Sequence, residues 1–175
     1  MSRGMVHGRF QPFHNGHLEY LRGAAERCDE VFVGITNPDP TRILAEPSDP
    51  LRHLPESNPW TYTDRLLMVE AAAIDLGLEL ARVHVIPFPV NEPELWRAYV
   101  PDGVTQFLRL FSEWGGTKLE RFRDAGYEVV VLDEGVEKEV SGADVRAALR
   151  EGGDWESLVP PGVARVIREL ERVAV

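Results

Sequence analysis

A single cysteine, Cys28, stands among 175 residues, which excludes an intrachain disulfide and any cluster of thiolate metal ligands. It falls near the end of an amphipathic run, where a buried, inert thiol is expected. No apolar run reaches the roughly 20 residues that span a bilayer, and no secretory leader pattern is read. The expectation is a cytoplasmic protein with no membrane partner. Basic residues are few: 19 Lys and Arg face 29 Asp and Glu, a net charge of -10. That balance argues against a nucleic-acid partner, since duplex binding needs a cationic footprint and RNA modules need basic–aromatic arrays. A small anionic ligand stays compatible, because one pocket can be basic inside an acidic protein. Also missing are a Walker phosphate loop and a Gly-x-Gly-x-x-Gly fingerprint after the first strand.

What is present reads as one globular domain over residues 1–175, with 43% apolar and 27% charged residues. Met5-Val6-His7 is a short first strand ended by Gly8, and Leu18, Leu21, Ala24 and Ala25 carry helical spacing from Gly16 to about Arg27. Val31–Ile35 is a second strand, which completes a βαβ unit. Residues from about 37 to 61 break the pattern with prolines at 38, 40, 47, 50, 55 and 59, and read as a surface excursion. A helix follows over Asp64–Leu76, then strands at Arg82–Pro87, Gln106–Phe111 and Tyr127–Leu132, with a helix at Thr117–Ala125. Ser141–Arg150 and Pro161–Val173 make a closing helical segment over about 141–175. The alternation predicts a Rossmann-like α/β fold, doubly wound, with a mostly parallel sheet and helices on both faces.

The chemistry concentrates where the first strand meets its helix, in Gly8-Arg9-Phe10-Gln11-Pro12-Phe13-His14-Asn15-Gly16-His17. Two imidazoles at a helix entrance can donate hydrogen bonds to phosphate oxygens, and if charged they oppose developing negative charge. Arg9 adds a planar guanidinium fork, and Gly16 permits close approach at the helix start. Imidazoles also bind zinc, but no acidic or cysteine set stands ready to complete a site. Later, Ser141 can cap a helix and offer its hydroxyl to a phosphate, with Arg146 a turn and a half beyond. Asn91 and Trp96 follow the third strand: one could read an amide or base edge, the other stack on a flat heterocycle or simply pack in the core. His7 is expected in the core or a pocket wall, His53 at the surface, and His84 in a structural role.

His14-Asn15-Gly16-His17 resembles the His-x-Gly-His signature of a nucleotidylyltransferase superfamily. The longer Gly8–His17 run is most similar to that of archaeal-type nicotinamide mononucleotide adenylyltransferases. Asn58-Pro59-Trp60-Thr61-Tyr62-Thr63-Asp64-Arg65 resembles that family's Asn-Pro-Phe-Thr segment with its acidic–arginine pair. Ile86-Pro87-Phe88-Pro89 with Asn91 and Trp96 resembles its nicotinamide-side wall. Ser141-Gly142-Ala143-Asp144-Val145-Arg146 resembles its closing phosphate motif.

The resemblance implies transfer of AMP from ATP to nicotinamide or nicotinate mononucleotide, with Mg²⁺ as cofactor. It places His14, His17 and Arg146 in catalysis. Gly8, Arg9, Phe10, Gln11, Gly16 and Ser141 would hold the nucleoside triphosphate, with Asn91 and Trp96 toward the small phosphorylated acceptor. Three departures keep an alternative open, a cytidylyltransferase using CTP and a small phosphate or phosphonate. Ala143 stands for a threonine, residues 38–57 form a long insertion, and Phe111–Gly116 differs from the usual adenosine-side segment. A catalytically silent nucleotide sensor is the other alternative. Oligomeric state is not encoded in these patterns, and a homo-oligomer is compatible with them.

Overall fold

The computed structural model describes residues 1–43, 51, 53–110, 113–134 and 140–173. Five strands form one parallel sheet: β1 (Arg3–Gly8), β2 (Glu30–Thr36), β3 (Val83–Phe88), β4 (Val104–Leu110) and β5 (Val129–Glu134). Their order is β3-β2-β1-β4-β5, with β1 central. Successive strands therefore build outward on one side of β1 and then on the other. The reversal lies between β1 and β4, where an open α/β sheet leaves a crevice at its C-terminal edge.

Side chains alternate across the strands, so each face acquires its own core. One face holds Val6, Val31, Val33, Ile35 and Phe107. It is covered by Leu21 and Ala24 of α1 (Asn15–Ala25), Met68, Val69, Ala72 and Ala73 of α2 (Tyr62–Asp75), Val145 of α5 (Gly142–Glu151), and Val163 and Ile167 of α6 (Pro161–Val173). The other face holds Met5, Phe88, Val104 and Leu108, covered by Trp96 of α3 (Trp96–Tyr99) and Phe122 of α4 (Glu113–Asp124). The expected doubly wound sheet is thus the observed one.

Two glycines allow the layers to meet. A Cβ on Gly34 would lie 2.5 Å from the Met5 methyl, and one on Gly162 would lie 2.9 Å from the Ala71 carbonyl oxygen. The second contact lets α6 press on α2, where the Asp75 carboxylate also accepts from the Gly162 N–H at 2.6 Å.

Element boundaries moved by a few residues. β4 starts at Val104 rather than Gln106, and α4 starts at Glu113 rather than Thr117. The one-turn α3 was not expected, because four residues between proline-rich segments carry no periodic signal. The proline-rich excursion contains 3₁₀ turns at Pro40–Arg42 and Pro55–Ser57, and its residues 44–50 and 52 lie outside the described residues. Of the divergent segment Phe111–Gly116, residues 111 and 112 also lie outside them.

Candidate active site

The loop from β1 to α1 is built as a bracket rather than a free turn. Phe10 takes a left-handed backbone, φ 53°, and its ring is 1% exposed. That conformation is uncommon for a bulky residue and is held by its surroundings. Phe10 packs on Phe13 at 5.2 Å and edge-on to His17 at 4.9 Å. Gly8 is required beneath it, since a Cβ there would lie 2.9 Å from the Phe10 ring.

His14 stands at the N-cap of α1, and its ring stacks on His17 with centroids 3.6 Å apart and planes 22° apart. The His14 backbone N–H donates to Nδ1 of His17 at 3.3 Å, so neutral His17 carries its proton on Nε2 as a donor. The two imidazoles therefore lie together at the positive end of a helix. Gly16 is close to the stack: a Cβ there would lie 3.1 Å from the His14 ring. Asn15 ties the same turn to the closing segment, donating from Nδ2 to the Ser157 carbonyl at 2.9 Å.

The second helix N-terminus comes from α5. Ser141 caps it and accepts from the Asp144 N–H at 3.2 Å, while the Asp144 carboxylate accepts from the Ser141 N–H at 2.8 Å and hydroxyl at 2.6 Å. These bonds hold the Asp144 carboxyl below its ordinary range, and the nearby His14 adds to the effect. Arg146 reaches back from α5 to donate to the Gln11 carbonyl. Segments far apart in the sequence thus meet here: Arg146 of α5 lies against the β1–α1 loop that carries His14 and His17.

The Gln11 side chain, expected to help hold the nucleoside triphosphate, is turned to the proline-rich excursion. Gln11 is 3% exposed, and its amide pairs with the Trp60 backbone, donating to the carbonyl at 2.8 Å and accepting from the N–H at 3.0 Å. Its side chain fastens the loop to the end of the excursion, while its carbonyl positions Arg146. Arg9 donates to Asn58 Oδ1 at 3.4 Å, and Asn58 Nδ2 donates to the Leu54 carbonyl at 3.0 Å.

Trp96, open in the sequence to either a binding-wall or a core reading, packs in the core. It is 1% exposed, stacked on Phe122 at 4.4 Å and packed on Phe88 at 5.6 Å, with its indole N–H donating to the Pro89 carbonyl at 2.9 Å. The ring is committed to the core, whereas Asn91 is exposed, so the two do not make one open wall. His53, expected at the surface, is half-buried. His7 is core-facing as expected, and His84 packs on Phe32 and lies 3.4 Å from the Glu30 carboxylate. Cys28 is buried, and burial raises its thiol pKa.

Two arginines were not assigned roles from the sequence. Arg65 is fully buried, and its guanidinium donates to the carbonyls of Arg9, Thr36, Asn37, Pro38 and Thr61 at 2.9–3.1 Å. Burial lowers its pKa to about 10, still charged at neutral pH. A signal existed: the α2 stripe Val69, Ala72 and Ala73, stepped back one turn, lands on Arg65. Arg109 binds the Asp133 carboxylate at 2.6 Å and donates to the Gly16 carbonyl at 2.8 Å, linking β4 and β5 to the entrance of α1. Nothing in its strand pattern distinguishes it from an edge-of-sheet cation.

Two helix N-termini, a paired imidazole and a fixed arginine form an arrangement suited to a polyphosphate. Residues 5–148 match the cytidylyltransferase-like family. The chain is 48% identical over 166 residues to a phosphonoformate cytidylyltransferase of Streptomyces viridochromogenes, covering 95% of this chain and 90% of that one. It is 36% identical over 175 residues to a nicotinamide-nucleotide adenylyltransferase of Thermococcus onnurineus, covering 98% and 85%. Among solved structures, a bifunctional NMN adenylyltransferase/ADP ribose pyrophosphatase from Francisella tularensis superimposes with a TM-score of 0.72 at 15% identity, over 97% of this chain and half of that one. That likeness concerns the fold alone. The resemblance to nicotinamide-nucleotide enzymes therefore narrows to the wider group: the chain belongs to the cytidylyltransferase-like family and is a nucleotidyltransferase acting on a nucleoside triphosphate and a small nucleotide or phosphate acceptor.

Proposed function

We propose that this protein transfers a cytidylyl group from CTP to a compact phosphonate such as phosphonoformate, releasing pyrophosphate. The observation that carries this reading is the 48% identity, over 95% of the chain, with a phosphonoformate cytidylyltransferase. The acceptor side is consistent with it. Trp96 is sealed against Phe122, so its ring is not offered to a pyridine.

In this reading His14 and His17 hold the triphosphate at the mouth of α1, and Arg146 and Ser141 hold it from α5. Arg9 adds charge, and Gly8, Phe10 and Gly16 shape the floor. An acceptor oxygen attacks the α-phosphorus in line. The new P–O bond forms as the bond to the bridging oxygen breaks, and pyrophosphate leaves with the electron pair. Charge accumulating on the leaving phosphates is met by the imidazoles and the guanidinium. Positioning and electrostatics suffice, and no protein nucleophile is required.

Magnesium enters as part of the nucleotide substrate. It favours phosphate and water oxygens over an all-protein cage, and among the described residues no group of three or more His, Cys, Asp or Glu could hold a metal. Likewise, among the described residues no helix is long and apolar enough to cross a membrane. A second reading, adenylyl transfer from ATP to nicotinamide mononucleotide, is favoured by the 36% identity with the Thermococcus enzyme. Pyrophosphate release separates them: CTP with phosphonoformate is expected to turn over, and turnover only with ATP and a pyridine mononucleotide would replace the first reading by the second.

A further inference from the structure

The triphosphate groups described above lie on the face of the sheet covered by α1 and α5. The opposite face carries polar atoms that the proposed chemistry has not used. On this face, among the described residues, Oε1 of Gln106, Nδ1 of His7 and Oγ1 of Thr36 are buried without a hydrogen-bond partner; Gln106 is paired with Met5, and the other two lie nearer the C-terminal ends of their strands. His7 and Thr36 are 6% and 3% exposed. Buried polar groups are nearly always paired, because leaving one unpaired costs its full desolvation. Two such groups close together at the mouth of a parallel sheet call for an explanation.

Register places them together. His7 pairs with Gly34 of β2, and Thr36 lies two residues further along that strand, paired with Phe88. Residues two apart on a strand share a face and are separated by about 7 Å, with neighbouring strands about 5 Å apart. The shared face is the one covered by α3 and α4, since a Cβ on Gly34 would meet Met5 and Phe88. Phe88 and Phe122 each pack on the His7 ring at 5.4 Å and fix its plane. Arg65 fixes the other partner, donating to the Thr36 carbonyl at 2.9 Å.

We propose that His7 and Thr36 form the subsite for the acceptor's distal oxyanion, the carboxylate of a carboxyphosphonate whose phosphonate oxygen attacks CTP. This rests on the compact-phosphonate reading given above. The imidazole supplies one N–H, and the threonine hydroxyl rotates to supply a second donor. Burial drives the His7 pKa well below its ordinary value, and the positive charge of Lys118 on α4 lowers it further. The ring is therefore neutral near pH 7, and Lys118 brings the positive charge that an oxyanion seeks. Nucleotide and acceptor would then approach from opposite faces and meet over the C-terminal end of β1, at the topological switch point.

The test is steady-state kinetics of Thr36→Val and His7→Phe with CTP and phosphonoformate, beside Thr36→Ser and His7→Gln, which keep a donor. The expected result is a rise of about tenfold or more in KM for phosphonoformate in the first pair, with KM for CTP unchanged. The second pair should recover most of the loss. Thr36→Val should not lower the melting temperature, since it removes an unpaired hydroxyl and keeps the shape. An unchanged acceptor KM in folded Thr36→Val would overturn the subsite and leave the proposed function standing. No turnover of phosphonoformate by the unaltered enzyme would overturn both.

Discussion

Gln11 and Trp60 are joined in both directions, the glutamine amide donating to the Trp60 carbonyl and accepting from its N–H at 2.8 and 3.0 Å. A side chain that looks like a ligand contact in the sequence thus serves as a brace. It fastens the β1–α1 loop to the far end of the proline-rich excursion, and the Gln11 carbonyl in turn receives Arg146. Gln11→Ala leaves two backbone groups of Trp60 without partners. Each such loss costs about 1–3 kcal/mol when the group stays buried. Chemical denaturation should show a clear destabilisation, and activity should fall because Arg146 loses its register. A stable variant with full activity would show that the brace is dispensable.

Arg65 makes the same argument more strongly. Its five carbonyl partners come from both ends of the excursion and from the β1–α1 loop. Arg65→Leu fills much of the volume but strands those acceptors, at an expected cost of at least about 3 kcal/mol. Arg65→Lys keeps the charge but lacks the planar fork, and should recover only part. Thermal unfolding of the two variants orders them: wild type, then lysine, then leucine.

Gly142→Ala offers a steric test at the other helix. Alanine is the better helix former by about 1 kcal/mol. Yet a Cβ at position 142 would lie 2.7 Å from the Gln11 carbonyl oxygen and 3.1 Å from Arg146 Nη1. The backbone must yield, so the variant should lose activity by an order of magnitude or more through displacement of Arg146. If propensity dominated instead, the variant would be more stable and fully active.

Asp144 supplies a pH prediction. Its carboxyl pKa is depressed in the fold by the Ser141 hydroxyl and N–H. A depressed acid contributes stability above its ordinary value of 3.8, and that contribution is lost as pH falls through the lower folded-state value. Melting curves of the wild type and Asp144→Ala should therefore differ near neutral pH and converge in strong acid. A gap that stays constant across that range would contradict the assignment.

Much of the architecture was legible in the sequence because it rests on local periodicity. Val31–Ile35 and the helical spacing of Leu18, Leu21, Ala24 and Ala25 announce their elements directly, and the His-x-Gly-His motif announces two imidazoles at the entrance of α1. What was not legible depends on contacts between distant segments. Gln11 acquires its role only from Trp60, and Arg109 only from Asp133 and Gly16. Trp96 is ambiguous in the sequence because aromatic residues serve cores and platforms alike, and only the placement of Phe122 against it puts the ring in the core. His7 and Thr36 carry no motif, and their interest arises from register alone.

Internal competition between the two substrate pairs separates cytidylyl transfer from adenylyl transfer. CTP, ATP, phosphonoformate and nicotinamide mononucleotide are supplied together with Mg²⁺, and products are identified by mass. With all four substrates at equal concentration, the early product ratio reports the relative specificity for the two pairs. The cytidylyl–phosphonate product should dominate, whereas a mixture dominated by NAD⁺ would contradict cytidylyl transfer as the protein's reaction.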